Sequence, residues 1–362
     1  MKRLIPNRET QIDIAALILL GAATFGFFWR LLLTQDIWMP AGGGDLAGFL
    51  YPTYHFAAEW WRRGVLPLWN PYLFGGQPFI GDIQSGILYP FNILTYLIAN
   101  PLTYRDLELL VTLHFYIAGV GMYSLLRWGR LGNPLAGAGD PLPALSRWAC
   151  LAGAVAFEFS DLFITHFGNL NLIASAAWLP FVFLFFSRAL DQGDDSQLTV
   201  PKFTIHNSQF IIAGVFLALS FLAGHIQSFV FVALAIGLYA LFRAGVSLSK
   251  SKRISFPVLR PLILLGLTLL VGLGLSAAVL LPAVEMTGAS VRSSYSYENA
   301  AQYSLPPTEL VGLLVPGFFG RGPQAAWGPW DRVEVGYLGI LPLILASLAL
   351  LWRRDARAWF FG

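Results

Sequence analysis

Apolar runs long enough to cross a lipid bilayer dominate this chain and restrict it to the α-helical membrane proteins. A crossing needs about 17–25 mainly apolar residues, because a helix rises about 1.5 Å per residue through a core about 30 Å thick. Candidate spans occupy residues 14–33, 107–126, 148–159, 170–186, 261–281 and 336–352. Only 12% of the residues are charged, roughly half the share in soluble domains. The sequence predicts an all-α, polytopic bundle with a single transmembrane domain over residues 1–362, whose first helix is not a cleaved signal peptide.

Two further apolar runs need a separate interpretation. Residues 208–243 would form a helix of about 54 Å, too long for one crossing. Gly224 and His225 interrupt this run, so we expect two shorter helices joined by a polar turn, which gives about eight crossings. Residues 87–99 are too few for a span, and we expect an interfacial helix there.

The distribution of basic residues indicates the orientation, since Lys and Arg concentrate in cytoplasmic segments. With the N-terminus in the cytoplasm, seven of the 23 Lys and Arg residues fall outside: Arg30, Arg62, Arg63, Arg105, Arg292, Arg321 and Arg332. The others collect on the cytoplasmic side. The charge pattern therefore predicts a multi-pass protein of the cell membrane and argues against a nucleic-acid partner, because the basic residues lie in short loops rather than on a soluble domain.

Two long loops are predicted on the extracytoplasmic face, at residues 34–106 and 282–335. Both are rich in Gly, Pro, Trp and Tyr, and within the first loop residues 53–63 have the pattern of an amphipathic helix. Long loops of this kind usually fold over a functional surface. We also expect this chain to be one part of a longer protein.

Two acidic residues of the first loop are candidates for catalysis. Asp45 follows a glycine-rich segment whose backbone can approach a ligand closely, and Asp82 precedes the predicted interfacial helix. The alternative for each is a helix N-cap. Two outer carboxylates are also able to hold a divalent metal such as Mg²⁺ or Mn²⁺ together with water.

Between these acids, residues 67–78 combine aromatic rings with amide side chains. Trp69, Asn70 and Gln77 are residue types that suit a sugar, whose apolar face stacks on a ring while its hydroxyls form hydrogen bonds. An aromatic belt at the membrane interface is the alternative for the rings, but it does not explain the amides.

Further polar residues fall at the other predicted outer turns. Ionisable groups at membrane depth are costly, so they favour a functional site. The polar residues at these turns, both ionisable and amide, are Glu158, Asp161, His166, Asn169, Asn171, His225, Gln227, Glu285 and Arg292. A structural histidine or a loop salt bridge is the alternative for His225 and Arg292. The single cysteine, Cys150, excludes an intrachain disulfide, and zincin, P-loop, GxSxG and CxxC motifs are absent.

A series of short blocks in this chain resembles the YfhO family of bacterial membrane proteins. The resemblance runs in order from about residue 12 to residue 350, and because members of that family are usually longer, it implies that this chain is an N-terminal portion. The blocks are residues 44–45, 51–52, 66–71, 74–78, 82–86, 88–90, 178–180, 223–227, 281–285, 290–292 and 315–320. Ile226 departs from the pattern, since the family often has proline there.

The resemblance implies a glycosyltransferase, because the YfhO family is similar to the GT-C class. Such enzymes transfer a sugar from a polyprenyl-phosphate donor to a cell-envelope acceptor on the outer face. On this basis Asp45 would be the catalytic base, Asp82 a second carboxylate, and His225 and Arg292 partners of the leaving phosphate. The residues expected to bind substrate are Tyr51, Trp69, Asn70, Gln77, Gln84, Glu158, Gln227, Glu285 and Arg292. A transporter or flippase of a lipid-linked component is the main alternative, and a structural membrane subunit is another.

Overall fold

Helices account for nearly all the regular structure of the chain. The computed structural model describes residues 8–35, 45–129, 145–191, 208–301, 304–320, 336–352 and 360–361. Within these ranges six helical segments are long and apolar enough to cross a membrane: Arg8–Phe27, Tyr104–Trp128, Arg147–Thr165, Leu170–Asp191, Ile226–Ser251 and Phe256–Gly288. Gln209–Leu222 and Ile340–Trp352 are shorter apolar helices. The chain is therefore an all-α membrane protein, as predicted.

The helices follow the chain with two very short strands inserted in the first loop. They are α1 (Arg8–Phe27), α2 (Trp29–Leu33), α3 (Tyr51–Arg62), β1 (Trp69–Asn70), β2 (Gln77–Pro78), α4 (Pro90–Ile98), α5 (Tyr104–Trp128), α6 (Arg147–Glu158), α7 (Asp161–Thr165), α8 (Leu170–Ala176), α9 (Leu179–Asp191), α10 (Gln209–Leu222), α11 (Ile226–Ser251), α12 (Phe256–Gly288), α13 (Tyr297–Ala301) and α14 (Ile340–Trp352). A π-helical turn, Leu46–Leu50, precedes α3, and a 3₁₀ turn, Ile83–Ser85, precedes α4.

The predicted division of the 208–243 run at Gly224 and His225 is confirmed, since α10 ends at Leu222 and α11 begins at Ile226. Gly224 has a φ of +99°, a left-handed conformation that glycine adopts without a steric penalty. Two other runs are more broken than predicted. The run at 14–33 is interrupted at Phe28, and the run at 170–186 is divided before Pro180, which lacks the N–H needed to continue the preceding helix.

Helix α5 is the centre of one half of the bundle, where it packs against α1, α6, α8 and α9. Helices α10, α11 and α12 form the other half, and α9 packs against both halves. Buried aromatic and aliphatic side chains fill the space between these helices and continue under the segment that carries α3 and α4. Residues 46–102 are therefore packed onto the bundle rather than extended away from it.

A buried hydrogen-bond network fastens this segment to the bundle. The Tyr89 hydroxyl lies 2.6 Å from Nε2 of His114 on α5, and it accepts a hydrogen bond of 2.9 Å from Nε1 of Trp178. Nδ1 of His114 lies 2.7 Å from the Leu110 carbonyl oxygen. Because Nδ1 must donate to that carbonyl, a neutral ring accepts the Tyr89 proton at Nε2. Two residues of the family-like blocks, Tyr89 and Trp178, thus have a structural function.

Arginine side chains hold together the end of the bundle that lies away from Asp45, which we call the basic end. Arg260 donates to the Ala189 and Leu190 carbonyls at the end of α9, at 3.0 and 2.7 Å. Arg188 donates to the Trp128 carbonyl at the end of α5, at 3.1 Å. Carbonyl groups at a helix C-terminus lack intrahelical donors and attract cations. Basic residues at this end therefore stabilise helix ends in addition to any effect on orientation.

The same end contains a buried ion-pair cluster on α1. Oδ1 of Asp13 accepts from the Tyr123 hydroxyl at 2.7 Å, from Nε of Arg147 at 2.9 Å and from Nε of Arg127 at 3.2 Å. Tyr123 and Arg127 lie on α5, and Arg147 begins α6. A single carboxylate oxygen therefore joins three helices.

Helix α4 forms within the run at 87–99 that was predicted to be an interfacial helix, and it begins three residues later than predicted. Its nine residues span only about 14 Å, which is too short to cross a bilayer. Asn92 and Tyr96 are buried, whereas Leu94, Leu97 and Ile98 are exposed. The buried face of helix α4 therefore carries polar side chains, and its exposed face is apolar. This arrangement is expected of a helix that lies along the membrane surface.

Candidate functional site

Segments from three parts of the chain meet around Gly224. We call their polar residues, Asp45, Asp82, Gln84, Asn169 and His225, the turn cluster. A Cβ atom on Gly224 would lie 2.8 Å from the Ile83 carbonyl oxygen and 3.3 Å from the Gln84 Cα. The backbone of the 3₁₀ turn therefore packs directly on the α10–α11 turn, and this contact requires the absence of a side chain at position 224.

Asp45 is exposed at the entrance to the π-helical turn. Its backbone carbonyl accepts from the Leu50 and Phe49 amides at 2.8 and 3.0 Å, but its carboxylate makes no capping hydrogen bond. Oδ2 lies instead 3.5 Å from Nδ2 of Asn169. The Leu46 amide donates to the Gly168 carbonyl at 2.9 Å, which fixes the two segments relative to each other. The Asp45 side chain therefore does not cap the helical turn that follows it.

Asp82 occupies a capping position and uses its side chain there. Its Oδ1 accepts from the Gln84 amide at 3.1 Å, at the start of the 3₁₀ turn. Burial raises the pKa of the Tyr54 hydroxyl, and the nearby Asp82 carboxylate raises it further. Tyr54 is therefore a neutral phenol beside a negative charge. The two acids that look alike in sequence thus differ in what their carboxylates bind.

His225 is the N-cap of α11. Its Nδ1 accepts from the Ser228 amide at 3.2 Å and lies 2.8 Å from the Ser228 hydroxyl. An Nδ1 that accepts an amide hydrogen leaves the proton of the neutral ring on Nε2. Burial, followed by the neighbouring His166, lowers the pKa of His225 to about 4, although the Asp45 carboxylate acts in the opposite direction. At neutral pH this side chain is an uncharged hydrogen-bond donor through Nε2.

Two asparagines and a histidine, on the segment that joins α7 to α8 and in the first turn of α8, support the cluster. Asn169 contacts Asp45, and Nδ2 of the buried Asn171 donates to the Gly224 carbonyl at 3.3 Å. Nδ1 of His166 lies 2.9 Å from the Leu162 carbonyl oxygen, so it carries a proton and Nε2 has the lone pair when the ring is neutral. The sequence placed these residues together at one turn but gave no sign that they meet Asp45.

The aromatic and amide block forms a small antiparallel hairpin. Trp69 pairs with Pro78, and Asn70 pairs with Gln77. Oδ1 of the buried Asn70 accepts from the Tyr72 amide at 2.9 Å, a local turn contact. The Trp69 ring covers Gly76, where a Cβ would lie 2.6 Å from it. Asn70 therefore shapes the turn, while Trp69, 55% exposed, keeps an accessible aromatic edge.

The remaining predicted residues are distributed over the molecule. Gln227 is exposed in the first turn of α11, next to the turn cluster, and Glu285 is exposed near the end of α12. Tyr51 packs edge-on against Tyr104, with ring centroids 5.9 Å apart. Arg292 lies in a 3₁₀ turn, Val291–Ser294, and its side chain is outside the described part of the structure.

Glu158 lies away from the turn cluster, inside the bundle at the end of α6. Its Oε1 is 2.5 Å from the Thr24 hydroxyl of α1. The residues that surround it, Thr24 and Gly119, had no recognisable signal in the sequence, because a threonine or glycine in an apolar run is common in packed membrane helices.

Metal binding was predicted for Asp45 together with Asp82. Across the described ranges, no three His, Cys, Asp or Glu side chains are arranged to hold a metal ion together, and Asp82 uses one oxygen for capping. Metal dependence stays a prediction, and the chemistry proposed below uses side chains alone.

Comparisons of this chain with protein-family models, with curated proteins and with solved structures give no match. The functional assignment therefore rests on the residues and the geometry of the turn cluster.

Proposed function

We propose that this protein is a membrane glycosyltransferase of the GT-C type, which transfers a sugar from a polyprenyl-phosphate donor to a cell-envelope acceptor. The observation that carries the proposal is the Asp45 carboxylate. It is exposed, makes no capping bond and lies near Asn169 and His225. The Asp45 carboxylate is therefore exposed to an incoming substrate, with one oxygen near the Asn169 amide and no helix amide bound to it.

The chemistry needs one base and help for one leaving group. In an inverting transfer, Asp45 takes the proton of an acceptor hydroxyl, whose oxygen attacks the anomeric carbon of the donor sugar. The bond between that carbon and the phosphate oxygen breaks, and polyprenyl phosphate leaves with the electron pair. The Asn169 amide donates toward Asp45 and would orient its carboxylate, so that the other oxygen faces the acceptor.

His225 is suited to the phosphate side of the reaction as a hydrogen-bond donor. Its Nδ1 is fixed by Ser228, and the ring is neutral, so Nε2–H is directed by the first turn of α11 rather than by rotation of a flexible side chain. The N-terminus of this helix carries the positive end of its dipole. A fixed donor beside a helix N-terminus stabilises negative charge that develops on a departing phosphate.

The location of the turn cluster also supports this proposal. An isoprenoid donor is insoluble in water, so the enzyme must bind it at the bilayer surface. The turn cluster is suited to this, because it lies where α8 and α11 begin and α10 ends. The proposal includes the arrangement predicted from sequence: eight crossings in the cell membrane, a cytoplasmic N-terminus, and Asp45 on the extracytoplasmic face. The resemblance to the YfhO family favours the same reaction class, and the hairpin with Trp69 would provide a stacking surface for a sugar.

The experiment that tests this function is sugar transfer by the purified, reconstituted protein. Polyprenyl-phosphate donors that carry radiolabelled sugars are offered with a cell-envelope extract as the acceptor, and labelled product is separated from donor. Transfer that depends on the protein supports the proposal. Movement of the labelled lipid across proteoliposomes without transfer would support the transporter instead.

A further inference from the structure

Glu158 combines burial in a membrane-spanning segment with an incomplete set of partners. The residue is fully buried near the end of α6. Its Oε2 is buried and has no hydrogen-bond partner among the residues that the structure describes. An ionised carboxylate oxygen in such a position would be very costly, because it is shielded from solvent and no side chain in the described ranges donates a hydrogen bond to it.

The Thr24 hydroxyl lies between two oxygen atoms, one on Leu20 and one on Glu158. The Thr24 hydroxyl lies 2.9 Å from the Leu20 carbonyl oxygen and 2.5 Å from Oε1 of Glu158. A threonine hydroxyl has one hydrogen to donate, and both of these neighbours are oxygens. If that hydrogen is donated to Leu20, the contact with Glu158 requires a second hydrogen, which only a protonated Glu158 supplies.

Helix α5 packs directly against the Glu158 carboxyl group. A Cβ atom on Gly119 of α5 would lie 2.1 Å from Oε2, so α5 approaches the carboxyl at a position without a side chain. The titratable neighbour on α5 is Tyr116, whose hydroxyl donates to the Leu17 carbonyl of α1 at 3.3 Å. The groups that face Glu158 from α1 and α5 are therefore uncharged at neutral pH.

We propose that Glu158 is a protonated carboxylic acid and forms a proton-binding site inside the membrane bundle, between α1, α5 and α6. The site is separate from the turn cluster and does not depend on the transferase function. Its proton joins α6 to α1 through Thr24, and loss of that proton would place an uncompensated charge at the contact of three helices. The same residue was predicted from sequence to bind substrate, and the geometry points to a proton as its ligand.

Infrared difference spectroscopy tests this assignment in the purified, reconstituted protein at neutral pH. Subtraction of the Glu158→Gln spectrum from the wild-type spectrum should show the carbonyl band of a protonated carboxylic acid. Glu108 provides a matched control, because it is equally buried but Oε2 lies 3.2 Å from Nη1 of Arg105; Glu108→Gln should remove carboxylate bands instead. Loss of carboxylate bands in Glu158→Gln would overturn the proposal.

A second variant keeps the test valid if Glu158→Gln fails to fold. Thr24→Val has nearly the same shape but removes the oxygen that accepts the proton, so the acid band should shift toward that of a carboxyl group without a hydrogen bond. An unchanged spectrum would contradict the proposed contact.

The melting temperature of the wild type should also fall relative to Glu158→Gln as the pH is raised, and parallel pH profiles would count against a bound proton.

Discussion

The Ile83 carbonyl oxygen packs against Gly224 so closely that a Cβ there would lie 2.8 Å away. The left-handed φ of +99° at Gly224 adds a second constraint. These two features bring the Asp82 turn to the His225 turn and set the shape of the turn cluster. The contact between Ile83 and Gly224 joins the first loop to the second half of the bundle.

Gly224→Ala should destabilise the protein by about 2 kcal/mol, because a left-handed residue with a side chain costs 1–2 kcal/mol before any contact with Ile83. Thermal unfolding in detergent measures this change. Gly245 in α11 provides the control, since a Cβ there would meet nothing within 4 Å, and Gly245→Ala should be neutral or slightly stabilising. Equal melting temperatures for the two variants would contradict the packing described at the turn.

His225 should make stability depend on acid pH. Burial lowers the pKa of His225 from 6.5 to about 4, so the unfolded chain binds more protons than the folded protein in this interval. Stability contributed by the neutral ring is complete above pH 6.5 and is lost as the pH falls toward 4. The melting temperature of the wild type should therefore fall relative to His225→Gln between these values. Parallel profiles for the two proteins would show that the ring is not held neutral.

Asp13 should be among the most sensitive polar positions at the basic end. Asp13→Asn leaves Arg127 and Arg147 without the charge that they share, and loss of one partner of a buried pair typically costs about 3 kcal/mol or more. Glu9 is a suitable control, because its carboxylate is 75% exposed and lies 3.7 Å from Arg147. Glu9→Gln should cost less than about 1 kcal/mol. Similar losses in both variants would contradict the assigned function of the Asp13 cluster.

The proposed orientation is tested by thiol labelling. Cys150, the one cysteine of the chain, is buried and can be replaced by alanine to give a background without thiols. Tyr72→Cys, at a position 80% exposed, should react with an impermeant reagent in intact cells, and Ser251→Cys should react only after lysis. Labelling of Ser251→Cys alone in intact cells would reverse the orientation and remove Asp45 from the extracytoplasmic face.

Much of the helical arrangement could be predicted from the sequence, since it follows from local properties. The Gly224-His225 interruption marked the division of α10 from α11, because the chain conformation there depends mainly on one glycine. The break before Pro180 was missed, since the apolar run continues through it and hydrophobicity alone does not report a lost backbone donor.

The assembly of the site could be predicted only in part. Asp45 and Asp82 both follow a glycine in the sequence. Whether such a carboxylate caps the next turn depends on the backbone path after it, and the local sequence does not reveal that path. Asn70 was predicted to bind a sugar, but a Tyr72 amide two residues away satisfies its oxygen. The contact of Asn169 with Asp45 joins residues far apart in the chain, and it depends on helix packing that no local pattern encodes.

The rate of sugar transfer by Asp45→Asn in the reconstituted system tests whether Asp45 is the catalytic base. Asparagine keeps the size of the side chain but cannot accept the proton, and loss of a general base typically lowers the rate by about 10²–10⁴-fold. Asp106→Asn is the matched control, because Asp106 is a true capping residue whose Oδ2 accepts from the Thr103 amide at 2.7 Å. Asp45→Asn should fold and insert normally and transfer almost no sugar, while Asp106→Asn should remain active. If Asp45→Asn kept more than about a tenth of the wild-type rate, the loss would be smaller than that expected for a missing general base. That result would contradict the assignment of Asp45 as the base.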